Sequence, residues 1–170
     1  YTHMSQSIHR MASSFLELPT DFWVPTTNEI KPTMSHQIAA GIYTQPSTHL
    51  TLSLEAYYKL SSHLLQYRHW MGFQPSAATW SRDVADGKGK SYGLEVDATY
   101  TTGSTTLSMA YTLSWSRRLF KDIHPTWFDD QFDNRHKINI SLSHDFSQRI
   151  SLYAAWTFHS GNRVTMPVGY

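Results

Sequence analysis

The sequence predicts an all-β fold of antiparallel, up-and-down strands, and three observations carry that expectation. Apolar side chains recur at every second position in several stretches, the period of a strand whose two faces meet different surroundings. Connections between these stretches alternate between short and very long. Charge is scarce: Lys and Arg number 14 and Asp and Glu 13 in 170 residues, so the formal charge is +1 and charged residues make up 16%, against about 25% in an ordinary soluble domain. Ser, Thr, Tyr and Gln take their place. Aromatic residues reach 14% while mean hydropathy stays at −0.43, a mixture suited to pleated surfaces.

The strands follow in order. A weak leading strand is expected near His3 to Arg10. Ile38, Ala40 and Ile42 then alternate with Gln37, Ala39 and Gly41, and after a turn over Thr44 to His49 the pattern resumes. There Leu50, Leu52, Leu54, Ala56 and Tyr58 face Thr51, Ser53, Glu55, Tyr57 and Lys59. Tyr92, Leu94, Val96, Ala98 and Tyr100 oppose Gly93, Glu95, Asp97 and Thr99, the clearest stretch in the chain. A turn over Thr101 to Thr105, centred on Gly103, leads into Leu107, Met109, Tyr111, Leu113 and Trp115 against Ser108, Ala110, Thr112, Ser114 and Ser116. A last hairpin sets Ile138, Ile140 and Leu142 beside Leu152, Ala154, Trp156 and Phe158, turning over Asp145 to Arg149.

Composition excludes several classes. A chain of balanced charge is a poor fit to phosphate neutralisation, so no nucleic-acid partner is expected. Without cysteine there is no disulfide, thiol nucleophile or Cys-ligated metal. Aromatic and β-branched residues are too frequent for disorder. No run of about 18 apolar residues could cross a membrane as a helix, so any crossing is by strands.

The apolar stripe is expected to face lipid. Long connections (Ala12 to Ser35, Ser61 to Lys90, Leu119 to Arg135) fall at one end and short turns at the other, the asymmetry of outer-membrane barrels. Structureless loops of that length are uncommon in compact soluble domains. The expected strands run about 9–11 residues, enough to cross a bilayer at a tilt near 45°. Tyr43, Tyr58, Tyr92, Tyr100, Trp115, Trp156 and Phe158 cluster towards strand ends, as in interfacial girdles. A lipid-exposed sheet must close on itself, with an even strand count from about eight upward in bacterial barrels. The six or seven strands expected here therefore read as part of a larger transmembrane β-barrel, residues 1–170 being wall and loops with the plug domain absent. A soluble β-sandwich or small barrel binding carbohydrate is the alternative.

Six segments, in order along the chain, resemble the C-terminal part of the barrel of TonB-dependent outer-membrane receptors, particularly those of Bacteroidetes. They are Asp21-Phe22-Trp23-Val24-Pro25 with Lys31-Pro32; Glu55-Ala56-Tyr57-Tyr58-Lys59; Ser91-Tyr92-Gly93-Leu94-Glu95; Ala110-Tyr111-Thr112-Leu113-Ser114; Asp133-Asn134-Arg135-His136-Lys137; and Trp156 to Arg163. The resemblance implies uptake of a large or scarce ligand, such as a metal chelate, oligosaccharide or peptide. It also implies outer-membrane lipid around the wall, the remainder of the barrel with its plug, TonB acting through that plug, and a surface lipoprotein as a candidate cap.

Candidate ligand contacts are loop aromatics, which offer stacking faces at small entropic cost: Trp23, Tyr67, Trp70, Trp80, Trp127 and Phe128. Glu55, Lys59, Glu95 and Asp97 are expected on the polar, lumen-facing side, where such charges commonly meet partners on other strands. Asp122, Asp129, Asp130 and Asp133 read as a solvated acidic loop. The ten histidines form no His-Glu-x-x-His arrangement, and Ser143-His144 and His159-Ser160 point to opposite faces of a strand, so neither forms a dyad. No metal, cofactor or enzyme activity is expected. Gly89-Lys90-Ser91 mimics the end of a phosphate loop, but Val84 replaces its first glycine.

Overall fold

A computed structural model describes residues 1–11, 22–68, 80–82 and 84–161. It is all-β. The strands are β1 (Thr2–Gln6), β2 (Ile8–Met11), β3 (Phe22–Pro25), β4 (Thr33–Ser47), β5 (Leu50–Tyr67), β6 (Val84–Thr102), β7 (Thr105–Leu119), β8 (Phe128–Asp129), β9 (His136–Ser147) and β10 (Ile150–His159). A single 3₁₀ turn, Trp80–Arg82, is the one helical element among the described residues. The main sheet has the order β1-β4-β5-β6-β7-β9-β10, with β8 paired to β7, and β2 and β3 form a separate antiparallel pair. The strands of the main sheet follow one another in chain order, with β2 and β3 set aside between β1 and β4, as in an antiparallel up-and-down meander.

Three expectations about boundaries change. The leading strand is broken at Ser7: β1 stays in the main sheet, whereas β2 leaves it to pair with β3. Hairpin turns shrink to Thr48-His49, Gly103-Ser104 and Gln148-Arg149, because polar residues near each turn interrupt the apolar rhythm but keep their backbones in the ladder. Gly103 has φ +51°, the left-handed geometry that glycine adopts without penalty and two-residue hairpins use. In the other two turns a serine hydroxyl accepts the amide two residues on, His49 to Ser47 and Arg149 to Ser147, both at 3.3 Å. Strands are also longer than expected: β5 has 18 residues and β6 has 19. Their extra length runs into the segments read as loops. In β6 Ala85, Gly87 and Gly89 are buried while Asp86 and Lys88 stay exposed, so the covered face carries alanine and glycine instead of large apolar residues and the sequence shows no apolar alternation although pairing persists.

The chain divides into two compact units. The first comprises Tyr1–Gln37, Lys59–Lys90 and Arg117–Phe128; the second Ile38–Tyr58, Ser91–Ser116 and Asp129–Tyr170. The first unit holds a small core of Val24, Ile30 and Val84, with Leu65 and Tyr67 packed on it. In the same unit Phe120 is fully buried and its ring lies on Gly87, where an added Cβ would stand 2.4 Å from ring carbons.

The second unit is built differently. Among its described residues no large apolar side chain is buried. Its order comes from the ladder and from rows of like side chains across it. Met109 stands opposite Ile140, and Ile140 opposite Trp156; Tyr111, Ile138 and Phe158 form the next row, and Leu107, Leu142 and Ala154 a third. The intervening rows are Ala110, Asn139 and Thr157, and Thr112, Lys137 and His159. One face is thus continuously apolar and the other polar, as a period of two requires when registers match. The apolar face is open: Ile42 is 70% exposed, Trp156 54% and Met109 41%.

Candidate functional site

In the second unit the polar face is the chemically distinctive surface. Along β5, Ser53, Glu55 and Tyr57 project to one side, and β6 presents Gly93, Glu95 and Asp97 beside them. The Ser53 hydroxyl donates to Asp97 Oδ2 at 3.1 Å. Tyr57 lies across Gly93, where an added Cβ would stand 3.0 Å from the ring and 2.7 Å from the Leu113 carbonyl oxygen. Only glycine lets the ring cover the backbone there, an aromatic-over-glycine pairing that pins register. Ser91 and Ser116 meet at 3.1 Å, and Thr157 donates to Asn139 Oδ1 at 3.1 Å. Glu55 and Asp97 are exposed and Glu95 half-buried. A shallow recess of about 350 Å³ on β9 and β10 is lined by Asn134, Lys137, Asn139, Thr157, Phe158 and His159.

On the apolar side of this unit, aromatic rings line up across strands. Tyr58 stacks on Tyr92 at 6.0 Å and Tyr92 on Trp115 at 5.3 Å, with the Arg135 guanidinium 5.0 Å from the Trp115 ring centre. Eight residues along β6 from Tyr92, Tyr100 meets His49 at 6.4 Å. His144 and Phe146 make an edge contact at 4.5 Å. Eight strand steps span about 27 Å at ~3.4 Å per residue.

The acidic loop after β7 is not solvated throughout, contrary to the sequence reading. Asp133 is 4% exposed and Asp130 is 7% exposed. Asp133 accepts the Ser116 amide at 2.8 Å and Arg135 Nη2 at 2.7 Å. Asp130 accepts the Ser116 hydroxyl at 3.4 Å, while its own amide donates to the Ser116 carbonyl at 2.9 Å. These bonds dock the segment on β7; a buried carboxylate is tolerable only because charge and donors surround it.

In the first unit the loop aromatics divide. Trp23, on β3, is 63% exposed. Trp127 is exposed as well, with Lys90 Nζ 4.4 Å from its ring centre. Tyr67 instead packs on the small core, and Phe128 packs against Phe120 at 6.3 Å and His124 at 5.9 Å. Lys59 is half-buried on β5. Trp70 lies outside the described residues; Trp80 opens the 3₁₀ turn, and its side chain is also outside them. Arg68 ties the end of β5 down through Asp122 Oδ2 at 2.7 Å and the Val84 carbonyl at 3.1 Å.

Two histidines of this unit are engaged by neighbouring elements. His9 is buried, and burial pushes its imidazole below the ordinary value, partly opposed by a hydrogen bond with the Lys31 backbone. His63, inside β5, has φ +57°, a strained conformation for a residue with a Cβ. Its carbonyl accepts the Thr33 hydroxyl at 2.8 Å and its Nδ1 contacts Asp86 Oδ2 at 3.0 Å. No periodic signal marks either one. Among the described residues no three His, Cys, Asp or Glu side chains converge as a metal site.

Comparison with known proteins found no matching family model, curated protein or solved structure.

Proposed function

We propose that this chain forms wall and outer loops of a TonB-dependent receptor barrel in the bacterial outer membrane. It would serve uptake of a ligand too large or scarce for a porin, such as a metal chelate, oligosaccharide or peptide. The observation that carries the reading is the open, continuous apolar face of the second unit, backed by a face of hydroxyls, amides and a few charges. In water, Ile38, Ile42, Leu54, Leu94, Met109 and Trp156 would forgo part of the roughly 1.5–3 kcal/mol each that full burial is worth. Six such losses approach ~10 kcal/mol, the whole net stability of a typical domain. In hydrocarbon the penalty disappears, while the backbone of each inner strand is already paired, as lipid demands. The aromatic row at Tyr58, Tyr92 and Trp115 and the rings near Tyr100 support the same reading. Their separation, about 20 Å along the membrane normal at a tilt of ~40°, is close to the ~25 Å apolar band of such barrels.

On this reading each surface has a task. Trp23 and Trp127 offer exposed rings to an incoming ligand, and a surface lipoprotein is a candidate to close over them. Glu55, Glu95 and Asp97, with Lys59, face the lumen and the plug. The remainder of the barrel pairs with the sheet edges at β1 and β10, and TonB acts on the plug. Fractionation of cells producing the protein tests the assignment. The chain is expected in the outer-membrane fraction, released only by detergent that dissolves that membrane; recovery as a soluble monomer in plain buffer contradicts it.

A further inference from the structure

β1 is paired to β4 so that His3 stands directly opposite His36. Their Nδ1 atoms are 3.3 Å apart, and the ring centres 4.5 Å. Tyr1, on the same face of the strand, brings its hydroxyl to 2.7 Å from His36 Nδ1 and stacks on that ring. Three donor atoms thus converge from two paired strands, and all three residues are exposed.

The spacing is informative. With metal–nitrogen bonds of about 2.0–2.1 Å, two imidazole ligands of one tetrahedral ion sit about 3.3–3.4 Å apart. The Nδ1 pair already stands at that separation, held by two backbones locked in a ladder. Imidazole nitrogen selects zinc, copper or nickel and is a poor ligand for calcium or magnesium. We propose that His3 and His36 bind one divalent transition-metal ion through Nδ1, with the Tyr1 hydroxyl as neighbouring donor and water completing the shell. Both rings bind as neutral imidazoles with the proton on Nε2. With no further His, Cys, Asp or Glu joining them among the described residues, the site is open and its ion exchangeable. A bound ion clips the edge strand β1 to β4. The inference is independent of the membrane assignment.

Zinc titrated calorimetrically into the untagged full chain in detergent tests it. One ion per chain is expected to bind at this site. His3→Gln and His36→Gln should each weaken that binding by about tenfold or more, whereas His49→Gln and His124→Gln, exposed elsewhere, leave it unchanged. Cobalt(II), which does not displace backbone amide protons at neutral pH, serves as a spectroscopic probe: its visible absorption is expected to intensify on binding to the parent and not to either single variant. Zinc affinity and stoichiometry unaltered by both His3→Gln and His36→Gln, or a cobalt spectrum unaltered by both, overturns the proposal.

Discussion

Asp133 is where one side chain does most to hold a connection in place. Its carboxylate takes the Ser116 amide and the Arg135 guanidinium at once, and it is almost fully buried. Asp133→Ala leaves that amide without its acceptor in a dry setting and frees Arg135 from its anchor. We expect a loss of about 2 kcal/mol, within the usual cost of an unsatisfied buried group, read from denaturant unfolding; Asp133→Asn, which keeps an acceptor, should lose less. His9 gives a second prediction, in pH. Burial lowers its imidazole below the ordinary value near 6.5, so the folded state binds its proton more weakly than the unfolded state. The stabilisation is fully present above about pH 6.5 and is lost as pH falls through the lowered folded value. Protection factors of amides in β2 and β3, which take out the intrinsic pH dependence of exchange, should therefore fall between pH 7 and the acid side of that window, and His9→Phe should flatten the dependence.

At the scale of elements, the matched rows of β7, β9 and β10 set a sharp contrast between neighbours. Met109 lies in a row with Ile140 and Trp156, while Ser108 lies in the adjacent row with Ser141 and Ala155. Met109→Arg should cost about 2–4 kcal/mol in a lipid-folding equilibrium, the range for a cation near the bilayer midplane; Ser108→Arg, on the polar face, should cost far less. These rows were legible in the sequence, because a ladder with matched register and one open apolar face leaves nothing but alternation to read at Leu107 to Trp115, Ile138 to Leu142 and Leu152 to Phe158. The extensions of β5 and β6 were not. At Val84, Ala85, Gly87 and Gly89 every second and some successive positions are buried, since Phe120 and Leu64 lie over glycines that the sequence shows only as gaps. The β2–β3 pair also escaped, its four-residue strands being too short to set a period. Among the candidate contacts, sequence could find exposed aromatics at Trp23 and Trp127 but could not tell them from Tyr67 and Phe128. The difference rests on distant partners, the Val24 core in one case and Phe120 in the other.

For the whole molecule, the central claim is that apolar surface without a covering layer marks contact with acyl chains. The charge balance of +1 and the low share of charged residues agree with it, since a free aqueous surface is usually kept soluble by mixed charges. The sheet's two edge strands, β1 and β10, carry unpaired backbone groups that hydrocarbon would penalise by several kcal/mol each. That is why the proposal requires further strands beside them. The most direct measurement places a fluorophore singly at Leu107, Met109, Leu142 and Leu152, and at Ser108, Ala110, Ser141 and Ala155, in protein folded into bilayers containing brominated acyl chains. The account predicts strong quenching at the first four positions and little at the second four, alternating residue by residue along β7. Equal quenching on both faces, or quenching confined to the hydroxyl-bearing one, would contradict it.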